Sequence, residues 1–306
     1  MGVTLAAPRH PHPPALPIPS SVRPVVGAID AILVVVPPAP VVVQSASNPL
    51  VKRIRRLADR KHRVRERAFV VEGVQPVERA LRSGAPVEVL IVAPELLTGP
   101  GAAATLQAAL DAQVPVVHLT AELFTRLSDR EGPTGVAAIV AIDERPLEQL
   151  VVGARSLFVA LHEVANPGNL GTIVRTADSL GIDGVVVVGP SADPYSPSAV
   201  KASMGSLFAV PVVHAAAIPD LLSWARAAHL SVVTTSARAH SVLDDVAVEL
   251  PAVVLLGNEG AGLAPDVLAA GDVDVRIPML GSASSLNLAV AAGIILYAAA
   301  RRKRME

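Results

Sequence analysis

The sequence predicts an α/β protein with two domains, the second containing a parallel sheet with helices on both faces. Three observations support this prediction. From residue 47 onward, apolar segments of strand length alternate with segments of helical periodicity. The chain has 306 residues, enough for two hydrophobic cores. Its aromatic residues are four Phe, two Tyr and one Trp, so both cores must consist mainly of Val, Leu, Ile and Ala.

Residues 1–45 differ in composition from the rest, because they are rich in Pro, Ala and Val. Repeated prolines exclude a regular helix or a central strand, so this stretch is predicted to be a disordered extension. A secretory signal is the rival interpretation. Asp30 and the pair Pro37 and Pro38 interrupt any uniform apolar segment, which argues against a signal.

The first predicted domain, residues 46–146, alternates short helices and strands. Ser47 or Asn48 lies near the N-cap of its first helix, and Gly84 ends the second. Helices are predicted over 47–61, 74–84, 105–113 and 121–129, and strands over 68–73, 87–93, 114–119 and 135–142. A linker, DERPLEQLVVG, follows.

The second predicted domain, residues 153–304, repeats the alternation. A loop, ANPGNLG, separates its first strand from a helix that Gly181 ends. Strands are predicted over 156–164, 185–189, 208–214, 231–237, 252–257 and 273–279, and helices over 172–180, 198–207, 218–228 and 285–302.

Positive charge is concentrated in one segment, although the formal net charge is only -1. Between Lys52 and Arg67 lie nine basic residues against two acidic ones. Such a block indicates either a docking face for a polyanion or a solvated helix face. The candidate polyanion-binding residues are Lys52, Arg53, Arg56, Arg60, Lys61, Arg63 and Arg65.

Several function classes are excluded. The absence of cysteine rules out disulfides, thiolate zinc sites and cysteine nucleophiles. The eight His residues are scattered without an HExxH-like pair, so no metal site is predicted. The longest apolar run, 286–300, contains Asn287 and is shorter than the roughly 20 residues of a membrane-spanning helix.

The first segment with chemical potential is NPGNLGTIVR, residues 166–175. It lies where a strand ends and a helix begins, the usual ligand position in an open α/β sheet. Asn169 can cap the helix or bond a substrate, and Arg175 can hold a phosphate or ribose through its guanidinium. A capping turn with a surface arginine is the simpler interpretation of this segment alone.

The second segment is LLGNEGAGL, residues 255–263, which follows an apolar strand. Its three glycines, with Asn258 and Glu259 between them, predict a tight loop whose backbone can contact an adenine or ribose. No Gly-Lys-Ser/Thr sequence follows, so it is not a phosphate loop. A plain glycine-rich turn is equally compatible with this segment in isolation.

The third segment is IPMLGSASSLNLA, residues 277–289, which leads into the last helix. Ser284 or Ser285 is expected to cap that helix. Asn287 interrupts an otherwise apolar face, and a buried Asn must find partners. It therefore either caps local structure or binds a ligand, and binding is favoured.

Together, in this order, the three segments closely resemble the signature motifs of the SpoU (TrmH-like) ribose methyltransferases of the SPOUT superfamily. The resemblance covers roughly the last 150 residues. The preceding segment SNPLVKRIRRLADRKHRVRERAFVVEG is similar to the family's ribosomal-protein-like domain, which binds substrate RNA. Within the family the chain looks nearest to the branch that modifies ribosomal RNA. The resemblance implies transfer of a methyl group from S-adenosylmethionine to a ribose 2′-hydroxyl. A cytoplasmic location is expected, since a chain without cysteine fits a reducing compartment.

Site residues follow from the resemblance by position. The implied catalytic residues are Asn169, Arg175, Glu259, Ser285 and Asn287. The implied donor-binding residues are Thr234, Ser236, Leu256, Gly257, Asn258, Gly260, Ile277, Met279, Ser285 and Leu286. One departure is Asn166, where many relatives carry Asp.

The resemblance also implies a C-terminal trefoil knot and a homodimer whose sites lie near the subunit interface. Because a guanidinium stays protonated, Arg175 is expected to stabilise negative charge on the 2′-oxygen or hold a phosphate. Asn169 and Ser285 are expected to orient the ribose.

Three alternatives remain. Transfer RNA is a second possible substrate, and a non-catalytic RNA-binding ribosome-assembly factor of the same fold is a possibility from another class. The polar positions retained in all three segments argue against the latter. A nicotinamide dehydrogenase would need an early G-x-G-x-x-G, which GNLGTI does not supply.

Overall fold

The computed structural model describes residues 42–97 and 101–304, and these form two sheets with flanking helices. Most of the predicted disordered extension therefore lies outside the described residues. Its end point is wrong, however, because Val42–Val43 form a strand, β1. Val42 and Val43 pair in parallel with residues 118 and 119 at the edge of the first sheet.

The first sheet is mixed and has five strands in the order β1-β4-β3-β5-β2. The central strand β3 pairs in parallel with β4 and antiparallel with β5. Besides β1, the strands of this sheet are β2 (Ala68–Glu72), β3 (Val87–Val92), β4 (Val116–Leu119) and β5 (Val136–Ala141). The helices that flank the sheet are α1 (Pro49–Arg56), α2 (Arg60–Glu66), α3 (Val74–Arg82), α4 (Ala102–Asp111) and α5 (Ala121–Thr125).

The helix predicted over 47–61 ends earlier, because α1 stops at Arg56 and a second helix, α2, begins at Arg60 and runs past the predicted end to Glu66. Asn48 caps α1, since its side chain accepts a hydrogen bond from the backbone N–H of Leu50 at 2.8 Å. At the break, the buried guanidinium of Arg63 donates to the carbonyl oxygens of Leu57 (2.7 Å) and Ala58 (2.6 Å). The break therefore leaves these carbonyls partnered although no helical N–H reaches them.

The second sheet is entirely parallel, with seven strands in the order β10-β12-β9-β11-β6-β7-β8. The strands are β6 (Leu157–His162), β7 (Gly184–Val188), β8 (Val212–Ala215), β9 (Ser231–Thr235), β10 (Ser241–Val242), β11 (Ala252–Leu256) and β12 (Val273–Arg276). The helices are α6 (Pro167–Leu180), α7 (Pro197–Ser203), α8 (Ile218–Ala227), α9 (Pro265–Ala269) and α10 (Leu288–Arg304).

Helices cover both faces of this sheet, as predicted. Successive strand residues point to opposite faces, and along β6 Val159 packs into the core that contains α6 and α10. Ala160, the next residue, packs into the core that contains Trp224 of α8 and Val267 of α9. Residues 157–161 are fully buried, which explains their continuous apolar sequence.

Two helix boundaries differ from the prediction because asparagines cap them. Helix α6 begins at Pro167, inside the predicted loop, since the Asn166 side chain accepts from the N–H groups of Gly168 and Asn169. Helix α10 begins at Leu288, capped by Asn287 through the N–H of Ala289. The predicted capping by Ser284 or Ser285 is therefore wrong.

The two sheets are joined by charged and aromatic contacts. Arg63 of α2 forms an ion pair with Asp193 at 2.8 Å, and both side chains are nearly buried. Arg79 of α3 pairs with Asp178 of α6 at 2.7 Å. The ring of Tyr195 packs on Phe69 of β2 with centroids 4.9 Å apart. The first sheet is thus held directly against the helix that follows β6.

Candidate active site

Two of the three predicted segments line one cavity, and hydrogen bonds connect Glu259 and Asn287 in its wall to Asn169 of the first segment. The cavity has a volume of about 380 Å³ and lies at the carboxyl ends of β9, β11 and β12. The second and third segments line it together with the residues that follow β9. The predicted donor-binding residues found in its wall are Ser236, Leu256, Gly257, Asn258, Ile277, Met279, Ser285 and Leu286.

Two predicted donor-binding residues are not in the wall of the cavity. Thr234 is fully buried, with its hydroxyl 3.4 Å from the carbonyl oxygen of Val273 and its methyl group beside Gly271. Because side chains alternate along a strand, Thr235 takes the cavity position. Gly260 lies on the outer part of its loop, where its N–H donates to the Asn258 side chain at 2.8 Å.

The glycine loop is held tightly by its own polar groups. The Asn258 amide donates to the carbonyl oxygen of Glu163 at 2.8 Å, which ties the loop after β11 to the end of β6. A Cβ atom on Gly257 would overlap the backbone of Gly262 and lie 2.6 Å from the nitrogen of Leu263. Only glycine fits at position 257, and its missing side chain allows the two ends of the loop to pack against each other at the cavity wall.

A chain of hydrogen bonds connects the three segments. The Asn169 amide nitrogen donates to the Glu259 carboxylate at 3.1 Å. The Asn287 amide nitrogen donates in turn to the Asn169 carbonyl oxygen, also at 3.1 Å. Since a carboxylate only accepts, it fixes which end of each amide faces which neighbour. Side chains 118 residues apart are thereby oriented together.

Glu259 also anchors the backbone at the start of α6. Its carboxylate accepts from the N–H groups of Ala165 (3.0 Å) and Asn166 (3.2 Å). Burial by itself would raise the pKa of Glu259, but the N–H of Ala165 and the amide of Asn169 outweigh it, so the pKa lies below its ordinary value. The group is therefore charged at neutral pH, with its oxygens occupied by donors.

Arg175 does not lie in the cavity. It is exposed on α6, six residues after Asn169 and so about 9 Å further along the helix axis. There it lines a shallow depression of about 320 Å³ with Thr172, Gly293 and Tyr297. Within the described residues its guanidinium has no hydrogen-bond or ion-pair partner. The wall of the donor cavity within one chain therefore does not include Arg175.

Comparison with known proteins follows the same division of the chain. Residues 156–297 match the family model of the SpoU rRNA Methylase family, and residues 48–138 match that of an MRM3-like substrate binding domain. A 23S rRNA (uridine(2479)-2'-O)-methyltransferase of Streptomyces viridochromogenes is 35% identical over 253 residues, which cover 81% of this chain and 87% of the relative. The chain belongs to the SpoU family.

Further relatives agree with this assignment. A 23S rRNA (guanosine(2553)-2'-O)-methyltransferase of Bacillus subtilis is 30% identical over 83% of this chain and 97% of its own length. The AdoMet-bound crystal structure of an rRNA methyltransferase from Sinorhizobium meliloti is 35% identical, with a TM-score of 0.78 over 87% of this chain and 98% of that structure. The predicted family and the α/β fold with a parallel sheet are thereby confirmed.

The basic segment of this SpoU protein divides into buried, paired and free side chains. Arg63 is 3% exposed and holds Asp193, so its predicted role in RNA binding is wrong. Arg53 pairs with Glu66 and Glu88, and the hydrogen bond to Glu88 raises its pKa. Arg65 contacts Glu66 at 3.4 Å but stays exposed. Exposed side chains without a partner among the described residues are those of Lys52, Arg55, Arg56, Arg60 and Lys61.

Sequence reasoning missed the part of the cavity wall that α10 supplies. Ala291 and Ile295 line the cavity. They follow Asn287 at intervals of four residues, so the helical repeat places all three on one face. That spacing was the available signal.

In residues 42–97 and 101–304, no helix is long and apolar enough to cross a membrane, and no group of three acidic or His side chains is arranged to bind a metal.

Proposed function

We propose that this chain transfers the methyl group of S-adenosylmethionine to a ribose 2′-hydroxyl of ribosomal RNA. The observation that carries the proposal is a cavity lined by the second and third segments, whose Glu259 and Asn287 are joined to Asn169 of the first segment by hydrogen bonds. The names of the relatives from Streptomyces viridochromogenes and Bacillus subtilis support ribosomal RNA as the substrate rather than transfer RNA.

The cavity fits a nucleoside-sized donor. Its volume of about 380 Å³ lies in the range of about 300–1,000 Å³ that is usual for small-ligand sites. Apolar side chains such as Leu256, Ile277 and Ile295 would cover an adenine, and the hydroxyls of Ser236 and Ser285 would bond its polar groups. When bound, S-adenosylmethionine supplies a methyl group on a sulfonium, which is already electrophilic.

The protein's own contribution is to position the acceptor ribose and stabilise negative charge on its oxygen. Asn169 keeps one N–H and one carbonyl lone pair beyond its bonds to Glu259 and Asn287, and these can orient the ribose. Ser285 lines the cavity and is exposed, so its hydroxyl is accessible to the acceptor. Glu259, whose pKa is lowered, acts as the anchor of this arrangement and not as a proton acceptor.

Arg175 acts on the acceptor oxygen or a neighbouring phosphate, and we propose that a homodimer brings it to a cavity. Supporting this, α10 carries three exposed apolar side chains, Val290, Ile294 and Tyr297 (51%, 40% and 55% exposed), at helical spacing. Tyr297 shares the depression that contains Arg175. A partner seated on this stripe would cover the apolar surface and meet Arg175.

The dimer proposal is tested by light scattering with Ile294→Glu, which places a charge in the stripe. We expect the wild type to be dimeric and the variant monomeric with little methyl transfer. A monomeric wild type that is fully active would contradict the proposal.

The remaining parts of the proposal concern the first sheet, the chain path and the location. The first sheet is proposed to be a ribosomal-protein-like domain that binds RNA through Lys52, Arg56, Arg60 and Lys61. The C-terminal segment is proposed to form a trefoil knot, supported by the position of β12 between β9 and β10 and by the packing of α10 on α6. The enzyme is proposed to act in the cytoplasm. An experimental chain trace of residues 250–304 and fractionation of cells test the last two points.

The central experiment combines calorimetry and RNA mapping. We expect the purified chain to bind S-adenosylmethionine and its demethylated product, and one 2′-O-methyl ribose in ribosomal RNA to disappear from cells without the protein. Ala291→Trp, which fills the cavity, should abolish donor uptake, whereas Ala104→Trp on the exposed face of α4 should not. A non-catalytic RNA-binding factor would bind RNA but take up no donor.

A further inference from the structure

A groove of about 500 Å³ runs between the two sheets, outside the donor cavity. Its walls come from α1 and the segment after α5 on one side and from α7 on the other. Its floor is apolar and includes Leu57, Val70 and Val200. Such a floor at a junction between two sheets is a typical ligand position.

The rim of this groove is basic. Arg55, Arg126, Arg130 and Lys201 surround it, against the carboxylates of Glu72 and Asp129. Arg55 is exposed and has no partner among the described side chains. Lys201 is exposed and donates only to a backbone carbonyl, that of Asp129, at 3.4 Å. Two cations thus face the groove without a carboxylate partner.

Of the other charged groups of the groove, Arg126, Arg130 and Glu72 have partners, and only Asp129 keeps an exposed carboxylate without one among the described residues. Arg126 pairs with Glu122 at 2.6 Å. Arg130 donates to the carbonyl oxygen of Glu72 at 2.9 Å. Burial raises the pKa of Glu72, whose carboxylate accepts from the Ser128 hydroxyl at 2.6 Å. The charge left for an incoming group is therefore positive.

The groove lies next to the helix that carries Asn169. Gly171 of α6 is in contact with α7, since a Cβ atom there would overlap the carbonyl oxygen of Ala199 and lie 2.8 Å from the Cβ of Ala202. Ser198, one residue before Ala199, is exposed and lines the groove. Only the width of α7 separates the groove from α6, a separation that a short piece of one RNA strand can span.

We propose that this groove binds a nucleotide near the target ribose on the same RNA strand, with Arg55 and Lys201 holding its phosphates and the apolar floor covering its base. The inference rests on the proposed function. It assigns RNA contacts to α7 of the second sheet and to Arg55, neither of which belongs to the predicted set of RNA-binding residues. Charge complementarity favours a polyanionic strand over a protein partner.

The test uses the full chain and protein-free 23S ribosomal RNA, with equilibrium binding measured against salt. Each phosphate contact contributes about one unit to the slope of log affinity against log salt. Arg55→Ala and Lys201→Ala should each lower the affinity roughly tenfold near 0.1 M salt and reduce the slope by about 1, and together by about 2. Arg82→Ala on α3, which removes one exposed positive charge outside the groove, should change neither quantity comparably.

A steric variant tests the groove without changing its charge. Ser198→Trp should weaken RNA binding while leaving the salt slope as in the wild type. For all variants, calorimetry should give unchanged donor affinity, because none of these residues lines the donor cavity. Wild-type affinity and slope in both alanine variants would overturn the groove assignment.

Two further outcomes are informative. A loss of binding seen only with assembled ribosomal subunits, and not with free RNA, would also overturn the assignment, since it would indicate a protein docked in the groove. Absence of donor uptake by the wild type would instead overturn the proposed function and remove the basis of this inference.

Discussion

Gly171 of α6 is a position in a helix contact where even one added methyl group should cost packing energy. In Gly171→Ala the new methyl group would overlap the carbonyl oxygen of Ala199 and lie 2.8 Å from the Cβ of Ala202. Backbone atoms cannot rotate away, so α6 and α7 must move apart by about 0.8 Å or more to lengthen the 2.2 Å contact beyond 3.0 Å. Such overpacking typically costs about 1–3 kcal/mol, and more when backbone must shift.

A second effect opposes this cost. Replacing Gly by Ala within a helix gains about 1 kcal/mol of helix propensity. Because backbone must shift, the packing cost lies at or above the upper end of its range. The net loss expected for Gly171→Ala is therefore about 2 kcal/mol or more, or a Tm lower by roughly 4–8 °C. Gly293→Ala on α10 is the matched control, because the nearest atom to its new Cβ is 3.9 Å away. That variant should be as stable as the wild type or up to about 1 kcal/mol more stable.

The assay is urea unfolding monitored by circular dichroism. The unfolding free energies of the variants are compared with one shared m-value, the slope of the free energy against urea concentration. Methyl transfer should fall in Gly171→Ala relative to the wild type, since α6 carries Asn169 and adjoins the groove wall. Gly293→Ala is a control for stability only, because Gly293 lines the depression that contains Arg175. Equal stabilities for the two variants would refute the argument, because it would mean that the α6–α7 contact yields without cost.

Three further predictions follow from the site and the basic segment. Arg175→Ala should abolish methyl transfer while donor affinity, measured by calorimetry, stays unchanged; turnover near the wild-type rate would remove Arg175 from the mechanism. Arg63→Met should lower the unfolding free energy by about 3–5 kcal/mol because it leaves Asp193 unpaired. The double variant Arg60→Ala/Lys61→Ala should instead keep the wild-type stability and make RNA binding less dependent on salt. Glu259 has a lowered pKa, so its contribution to stability should be complete above its ordinary value of 4.5 and should decrease as the pH falls below it, through the lower pKa of the folded state. A stability difference between wild type and Glu259→Gln that does not shrink as the pH falls below 4.5 would contradict this.

Much of the second sheet could be predicted from the sequence, because its strands are buried on both faces and therefore appear as continuous apolar runs. The tight loop after β11 could also be predicted from its glycines, since the close approach of Gly257 to the backbone of Gly262 leaves no room for a side chain. The convergence of the three segments was predicted through the resemblance and not from spacing alone.

What could not be predicted depends on partners far away in the chain. Arg63 looked like its basic neighbours, and only Asp193, 130 residues later, makes it a buried structural group. Thr234 and Thr235 differ only in which face of β9 they occupy, which a single-residue shift of register reverses. The position of Arg175 outside the cavity, beside the exposed stripe on α10, could not be predicted because it is set by packing between helices.

The ion pair between Arg79 and Asp178 has a consequence for substrate choice. It fastens α3 of the first sheet to the far end of the same helix whose beginning carries Asn169, and Ser206 shares the Asp178 carboxylate at 2.7 Å. These contacts therefore fix the distance between the first sheet, which is proposed to bind RNA, and Asn169, which is proposed to orient the ribose. The enzyme would therefore methylate a ribose only at a fixed distance from the RNA segment bound by the first sheet. Lengthening the RNA stem between that segment and the target by a few base pairs should prevent methylation.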